Sequence, residues 1–284
     1  MILVTGANGN LGSATLAVLR AGGADAMGGS RTPGEGMRRL DFDDPAGLDL
    51  GGVSTLVLIS AGYAEDDQVV GRHAAVLDAA VRDGVRHVVY TSLTAAGDHL
   101  GFALAHRATE RLVRTSALPW TILRNGLYAE LFGGLLIWAG DGVESAFGDG
   151  ALAAVAREDL ADAAAIVAAN PTRHSGRVYD LVGTPITAGQ VAERLGVPHR
   201  TIGLAEYRRR LLHETPELLP FQPPMLASIA TGIRHGFLDG TVPDLTDLLD
   251  RPARDAVAMA VAAATATRPE ASASARTSGP SGSG

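Results

Sequence analysis

Cysteine is absent from the 284 residues, which removes disulfides, thiolate zinc sites, iron–sulfur clusters and cysteine nucleophiles together. Lysine is absent too: all 24 basic residues are arginine, so neither a Schiff base nor a lysine-bearing phosphate loop can be built. No apolar run reaches the roughly 18 residues needed to span a bilayer. Met1 leads into strand-like Ile2-Leu3-Val4-Thr5-Gly6 without a basic leader, so a cytoplasmic location and no membrane association are expected. With a formal net charge of -7, a pI near 5.6 and no long block of like charge, nucleic acid is not an expected partner and a small molecule is. No spacing of His, Asp and Glu suggests a metal site.

What remains is a chain with 46% hydrophobic and 19% charged residues, enough to bury a sizeable core. Residues 1–125 alternate short apolar runs with helical patterns, the mark of βαβ units. Strands are expected at Ile2 to Thr5, Asp25 to Gly29, Met37 to Leu40, Thr55 to Ser60, His87 to Thr91 and Trp120 to Leu123. Val69, His73, Val76, Leu77 and Ala80 recur at helical spacing from about Asp66 to Asp83, and a second helix is expected from Phe102 to Ser116. The fold class expected is α/β, a Rossmann-type doubly wound parallel sheet with a smaller, mostly helical C-terminal substrate lobe at 126–266, some of whose segments return to the sheet. In that lobe, helices are expected at Arg157 to Ala169, after a Thr187 cap, at Ala205 to Glu214 and at Met225 to Arg234. The tail 267–284, rich in Ser, Ala, Gly and Pro, is expected to be disordered.

Thr5-Gly6-Ala7-Asn8-Gly9-Asn10-Leu11-Gly12 follows the first strand and opens a helix. Glycines in that context make a tight turn and let the backbone approach a pyrophosphate, while the helix start offers N–H donors. Roughly 20 residues further on, where an acid would bind the ribose of NAD, stands Ser30-Arg31. The planar guanidinium of Arg31 suits a 2'-phosphate, so NADPH is favoured over NADH; the alternative for Arg31 is a solvated loop position.

These elements resemble the NmrA-like branch of the atypical short-chain dehydrogenases, and within it the NADPH-dependent quinone oxidoreductases of type 2, over about residues 1–260. Beside the glycine motif, the resemblance rests on Asp41-Phe42-Asp43-Asp44, Tyr90-Thr91-Ser92-Leu93, His106 with Thr109-Glu110, Leu123-Arg124-Asn125-Gly126, Tyr128-Ala129-Glu130, Arg157-Glu158-Asp159 and Val178-Tyr179-Asp180-Leu181. It implies that Gly6 to Gly12 hold the pyrophosphate, Arg31 the 2'-phosphate, and Asp41 and Phe42 the adenine. It further implies that Ser60, Ala61 and Gly62 run beside the ribose, and that Asn125, Gly126, Leu127 and Tyr128 line the nicotinamide end. The sequence departs from the family pattern at Ala61-Gly62, often serine, and at Asp250-Arg251-Pro252, where Gly-Arg-Pro is usual.

The tyrosine–lysine acid/base pair of the wider superfamily cannot exist here, and its positions, aligned on Glu110, hold Phe102 and His106. Carbonyl reduction by that route would forfeit about 10² to 10⁴ in rate, whereas the hydride adduct of a quinone can be protonated by water. An oxidoreductase acting on a quinone or similar conjugated acceptor is therefore expected. Catalytic candidates are Thr91 and Ser92 as polarising hydroxyls, His106 as a proton donor and Tyr128 as a hydrogen-bond donor to the acceptor. The competing readings are strand-end capping for Thr91 and Ser92, packing for Tyr128 and a structural role for His106. A dinucleotide-binding sensor without turnover is the alternative function, and a homodimer is left open. Asp44 is read as a helix N-cap.

Arg31→Asp is expected to cost about 1.5 to 3 kcal/mol of NADPH affinity and to shift preference toward NADH. Titrating both cofactors measures it, and an unchanged ratio of dissociation constants would place Arg31 in solvent.

Overall fold

Successive residues of a strand face opposite sides of the sheet, and in this chain both sides are apolar: Leu3 and Val4, Leu56 and Val57, Val88 and Val89, and Ile122 and Leu123 are all fully buried. Such runs specify a parallel sheet covered by helices on both faces. The computed structural model describes residues 1–61 and 64–269 and shows that arrangement. The chain begins β1 (Ile2–Val4), α1 (Asn10–Ala21), β2 (Ala26–Ser30), β3 (Met37–Arg39), β4 (Thr55–Leu58), α2 (Asp66–Arg82), β5 (His87–Leu93), α3 (Ala103–Thr115) and β6 (Trp120–Asn125). It continues α4 (Ala129–Gly134), β7 (Ile137–Ala139), β8 (Gly142–Ser145), β9 (Ala151–Ala154), α5 (Arg157–Ala169), β10 (Val178–Leu181), β11 (Thr184–Thr187) and α6 (Ala188–Leu195). It ends with β12 (His199–Thr201), α7 (Leu204–His213), α8 (Gln222–Arg234), α9 (Asp244–Leu249) and α10 (Ala256–Ala266).

Seven parallel strands form the main sheet in the order β3-β2-β1-β4-β5-β6-β10. The order reverses between β1 and β4, which opens a crevice at their carboxyl ends. One face packs Leu16 and Leu19 of α1, Leu160 and Ala164 of α5 and Leu245 of α9; the other packs Val76 and Leu77 of α2 and Val113 of α3. Each of the leucine and valine side chains contributes about 1.5 to 3 kcal/mol by leaving water.

The C-terminal lobe has its own core around Phe132, Phe147, Tyr207 and Ile229. Its helix α10 lies so close to α4 that a Cβ on Gly133 would stand 2.0 Å from the Ala260 carbonyl oxygen. The lobe is less helical than its sequence suggested. It carries two small sheets, β11-β9 and β12-β8-β7, whose strands of three or four residues are too short to show a periodicity. Helix α6 starts with the expected cap at Thr187, completed by Gln190 into a capping box. Of the tail expected to be disordered, 270–284 lies outside the described residues.

The segment after α9 is fastened to α5 through Asp159, fully buried, which accepts hydrogen bonds from Arg251 Nη2 at 2.7 Å, from the Arg254 amide at 2.8 Å and from Arg254 Nη1. Asp250 adopts φ +52, the left-handed region. Asp250→Gly is expected to stabilise the fold by about 0.5 to 1 kcal/mol, since glycine reaches that region without a Cβ penalty. Thermal melting measures it, and a lower melting temperature would contradict the strain argument.

Two histidines lie between β5 and the helices α2 and α3. Burial, with smaller contributions from His106 and Arg72, lowers His73 from the usual 6.5 to about 3; burial and Arg107, opposed by Glu110, lower His106 to about 4. Because the folded values are depressed, the unfolded chain binds more protons below pH ~6.5, and stability falls as pH drops through that value toward the folded ones. Each histidine contributes up to about 1.4 kcal/mol per pH unit in that window. Urea unfolding at pH 7.5 and pH 5 checks the sign, and an unchanged midpoint would mean that these side chains are solvated.

Candidate functional site

Gly6 takes φ +61, which a side chain would resist, and turns the chain from β1 into α1. A Cβ on Gly12 would lie 2.3 Å from the Gly6 carbonyl oxygen, so glycine is what lets α1 sit against the turn. The helix begins at Gly9 with no side-chain cap, leaving its first-turn N–H groups directed at the crevice. Ala7 and Leu11 are buried, so their side chains pack into the core.

Beside this turn, Asn8 Nδ2 donates to Ser30 Oγ at 2.9 Å and to the Thr32 carbonyl at 2.8 Å. That bridge shapes the loop carrying Arg31, which is exposed and makes no hydrogen bond or ion pair among the described residues. Asp41 accepts from the Asp43 amide at 3.1 Å and pairs with Arg39, while Phe42 packs half-buried on the α2 side of the core. Asp43 is gripped by Arg72 of α2 through Nε at 2.6 Å and Nη2 at 2.8 Å, which holds its carboxyl below the usual range. Asp44 precedes only a short 3-10 turn and its side chain caps nothing, so the N-cap expectation is corrected: Pro45 already fixes the turn.

The exit of β4 is tied down by three consecutive amides. Ile59 donates to Thr5 Oγ1 at 2.9 Å, Ser60 to Thr91 Oγ1 at 3.0 Å and Ala61 to His73 Nε2 at 3.0 Å. Gly62 lies outside the described residues. Thr91 is thus engaged with β4, its hydroxyl also 3.5 Å from the Leu58 carbonyl. Ser92 faces the other way and donates to Glu110 Oε1 at 2.7 Å. Both hydroxyls are buried and committed, which favours capping over polarisation of an acceptor.

Glu110 itself is buried, and burial pushes its carboxyl up. Hydrogen bonds from Arg124 and Ser92, with the charges of Arg124 and Arg107, outweigh that and hold it below its usual value. Arg124 binds it with Nε at 2.8 Å and Nη2 at 2.7 Å, and Arg107 Nη1 at 2.8 Å.

Half-buried His106 has its Nδ1 3.0 Å from Tyr90 Oη, and burial with the charge of Arg107, opposed by Glu110, lowers its pKa to about 4. A ring kept neutral near pH 7 favours the structural reading of His106 over the proton donor. One helical turn earlier, Phe102 lines a cleft of about 270 Å³ closed on the lobe side by Phe221 and Met225 and bordered by Glu65 and Asp66. Sequence reading missed Phe221 and Met225 as site residues, and no motif marks them.

After β6, Asn125 is buried and its Oδ1 has no hydrogen-bond partner among the described residues. A Cβ on Gly126 would stand 3.0 Å from the Leu181 carbonyl oxygen, so the chain passes tightly beside β10. Leu127 belongs to the lobe core. Tyr128 is half-buried with the Arg157 guanidinium 5.0 Å above its ring. The glycine turn, the Arg31 loop, Ser60, Ala61 and Asn125 thus all stand at the carboxyl ends of the strands, whereas Thr91 and Ser92 are buried behind them and His106 is half-buried against Tyr90.

No protein-family model matches the chain. The chain is 36% identical over 205 residues to quinone oxidoreductase 2 of Escherichia coli K12, covering 64% of this chain and 68% of that protein. It is 33% identical over 155 residues to an NmrA-like family domain-containing oxidoreductase of Aspergillus flavus, covering 48% and 50% of the two chains. Among solved structures, the triphenylmethane reductase of Citrobacter sp. complexed with NADP(H) superposes with a TM-score of 0.81 at 28% identity, over 93% of this chain and 99% of that one. The glycine turn on an open Rossmann crevice, the Ser92–Glu110–Arg124 cluster and these similarities together assign the chain to the NmrA-like family of atypical short-chain dehydrogenases, alongside the type 2 quinone oxidoreductases.

Proposed function

We propose that the chain is an NADPH-dependent oxidoreductase that passes hydride to a quinone or a similar conjugated acceptor. The observation that carries the reading is the acceptor end: Phe102 lines the cleft where the superfamily's tyrosine would stand, and the neutral His106 behind it is bonded to Tyr90. The chain holds no lysine to activate a tyrosine. An acceptor reduced there must tolerate having no such donor, and a quinone does, because its hydride adduct is a stabilised phenolate-type anion that water protonates.

The residues fit the cofactor. The uncapped start of α1 and the turn held open by Gly6 and Gly12 receive a pyrophosphate, and Arg31 with Asn8, Ser30 and Thr32 forms a corner suited to a 2'-phosphate. Asp41 and Phe42 flank the adenine, Ser60 and Ala61 run beside the ribose, and Asn125, Gly126 and Tyr128 border the nicotinamide end. The orphaned Asn125 Oδ1 supports that placement, since a buried acceptor without a donor is costly unless something else supplies one. The bound dinucleotide supplies the hydride; the protein supplies the orientation and, through Phe102, Phe221 and Met225, an apolar wall that excludes water from the acceptor.

NADPH oxidation with a benzoquinone panel is expected to exceed the uncatalysed rate, and His106→Ala to lower turnover less than about tenfold with no pH inflection near 6 to 7. An essential proton donor would instead cost about 10² to 10⁴. NADPH binding without turnover on any acceptor would favour a dinucleotide sensor over the enzyme.

A further inference from the structure

We propose that His73 is the positioning residue that sets the β4 exit loop for the cofactor. The inference rests on the reading that Ser60 and Ala61 run beside the ribose. Of the three side chains that hold this loop, Thr5 follows β1 and Thr91 lies in β5, while His73 reaches in from α2 and takes the amide of Ala61, three residues past the end of β4.

Its tautomer is fixed by its neighbours. Thr109 Oγ1 donates its hydrogen to the Ala105 carbonyl at 2.8 Å, so at 2.8 Å from His73 Nδ1 it can only accept. Nδ1 therefore carries the proton, and Nε2 is free to accept from the Ala61 amide at 3.0 Å. An imidazolium would set a donor against that donor. The groups facing the ring are Thr109, the edge of Tyr90 at 5.6 Å between centroids, His106 and Arg72; burial is the main cause that keeps the ring neutral. Arg72, the preceding residue of α2, grips Asp43 in the loop after β3. One turn of α2 thus holds two of the loops proposed to border the cofactor.

The test compares His73→Gln, whose amide can reach the place of Nε2, with His73→Asn, whose amide reaches only that of Nδ1, and with His73→Leu. NADPH is titrated by its fluorescence, KM and kcat are taken with a benzoquinone, and melting is recorded for each variant. Gln is expected to keep the NADPH dissociation constant and KM within about threefold of wild type, and Asn and Leu to weaken both roughly five- to thirtyfold, the loss of one hydrogen bond. The Ala61 amide is expected to exchange with solvent faster in Asn and Leu than in wild type and Gln. Folded Asn and Leu variants that bind NADPH as wild type does would overturn the proposal, as would affinity that simply follows melting temperature across all three. A wild-type protein that fails to bind NADPH would sink the functional reading itself, whatever the variants do.

Discussion

A carboxylate with 4% of its residue surface exposed cannot stay charged unless its neighbours make it so, and Glu110 is such a group. Arg124 reaches it from β6, Ser92 from β5, and Arg107 from its own helix α3. Arg107 carries the bond network on to the carbonyls of Leu93, the last residue of β5, and of Thr94 just beyond it. Because Arg124 and Arg107 both bind Glu110, losing either guanidinium leaves the carboxylate paired with the other. The carboxyl ends of β5 and β6 are therefore locked to α3, and the crevice above them keeps its shape because that lock is rigid.

The same cluster explains which motifs the sequence displays. Tyr-Thr-Ser-Leu, Thr-Glu and Leu-Arg-Asn-Gly are three separate stretches of chain, but in space Ser92, Glu110 and Arg124 are one knot. Tyr-Ala-Glu and Arg-Glu-Asp form a second: Glu130 accepts from the Arg157 amide at 3.1 Å, while the Arg157 side chain lies over Tyr128. Asp159 with Arg251 and Arg254 forms a third. What marks the family in this chain is largely a set of half-buried polar knots that place loops, and the hydroxyls of Thr91 and Ser92 belong to that framework.

The centre of the parallel sheet was legible because both of its faces are buried, so β1, β4, β5 and β6 appear largely as apolar runs; the strands read, β1 to β6, differ at their ends by a residue or two. α5 and α6 were legible through their helical pattern and the Thr187 cap. The short strands of the lobe were not, since β7 and β12 have three residues each, and β12 pairs with β8, far from it in sequence. The glycine turn and Arg31 could be read from spacing. The direction in which Ser92 and His106 point could not, because it depends on Glu110 and Tyr90 meeting them across the sheet–helix interface.

Behind the β4 exit the protein places groups kept uncharged by burial: Tyr90, whose hydroxyl burial holds above its usual range, with His73 and His106 on either side of it. On α3 the charges of Arg107 and Glu110 are paired with each other, and Glu110 with Arg124 as well. A hydride transfer proposed at this edge moves negative charge onto an acceptor, and the groups behind it neither add a fixed charge nor compete for a proton near neutral pH. Such a wall suits a reaction in which positioning supplies most of the rate and solvent completes the proton balance after transfer. At the His106 position an ammonium would need a counter-charge, whereas a neutral imidazole is held through Nδ1 by the hydroxyl of Tyr90.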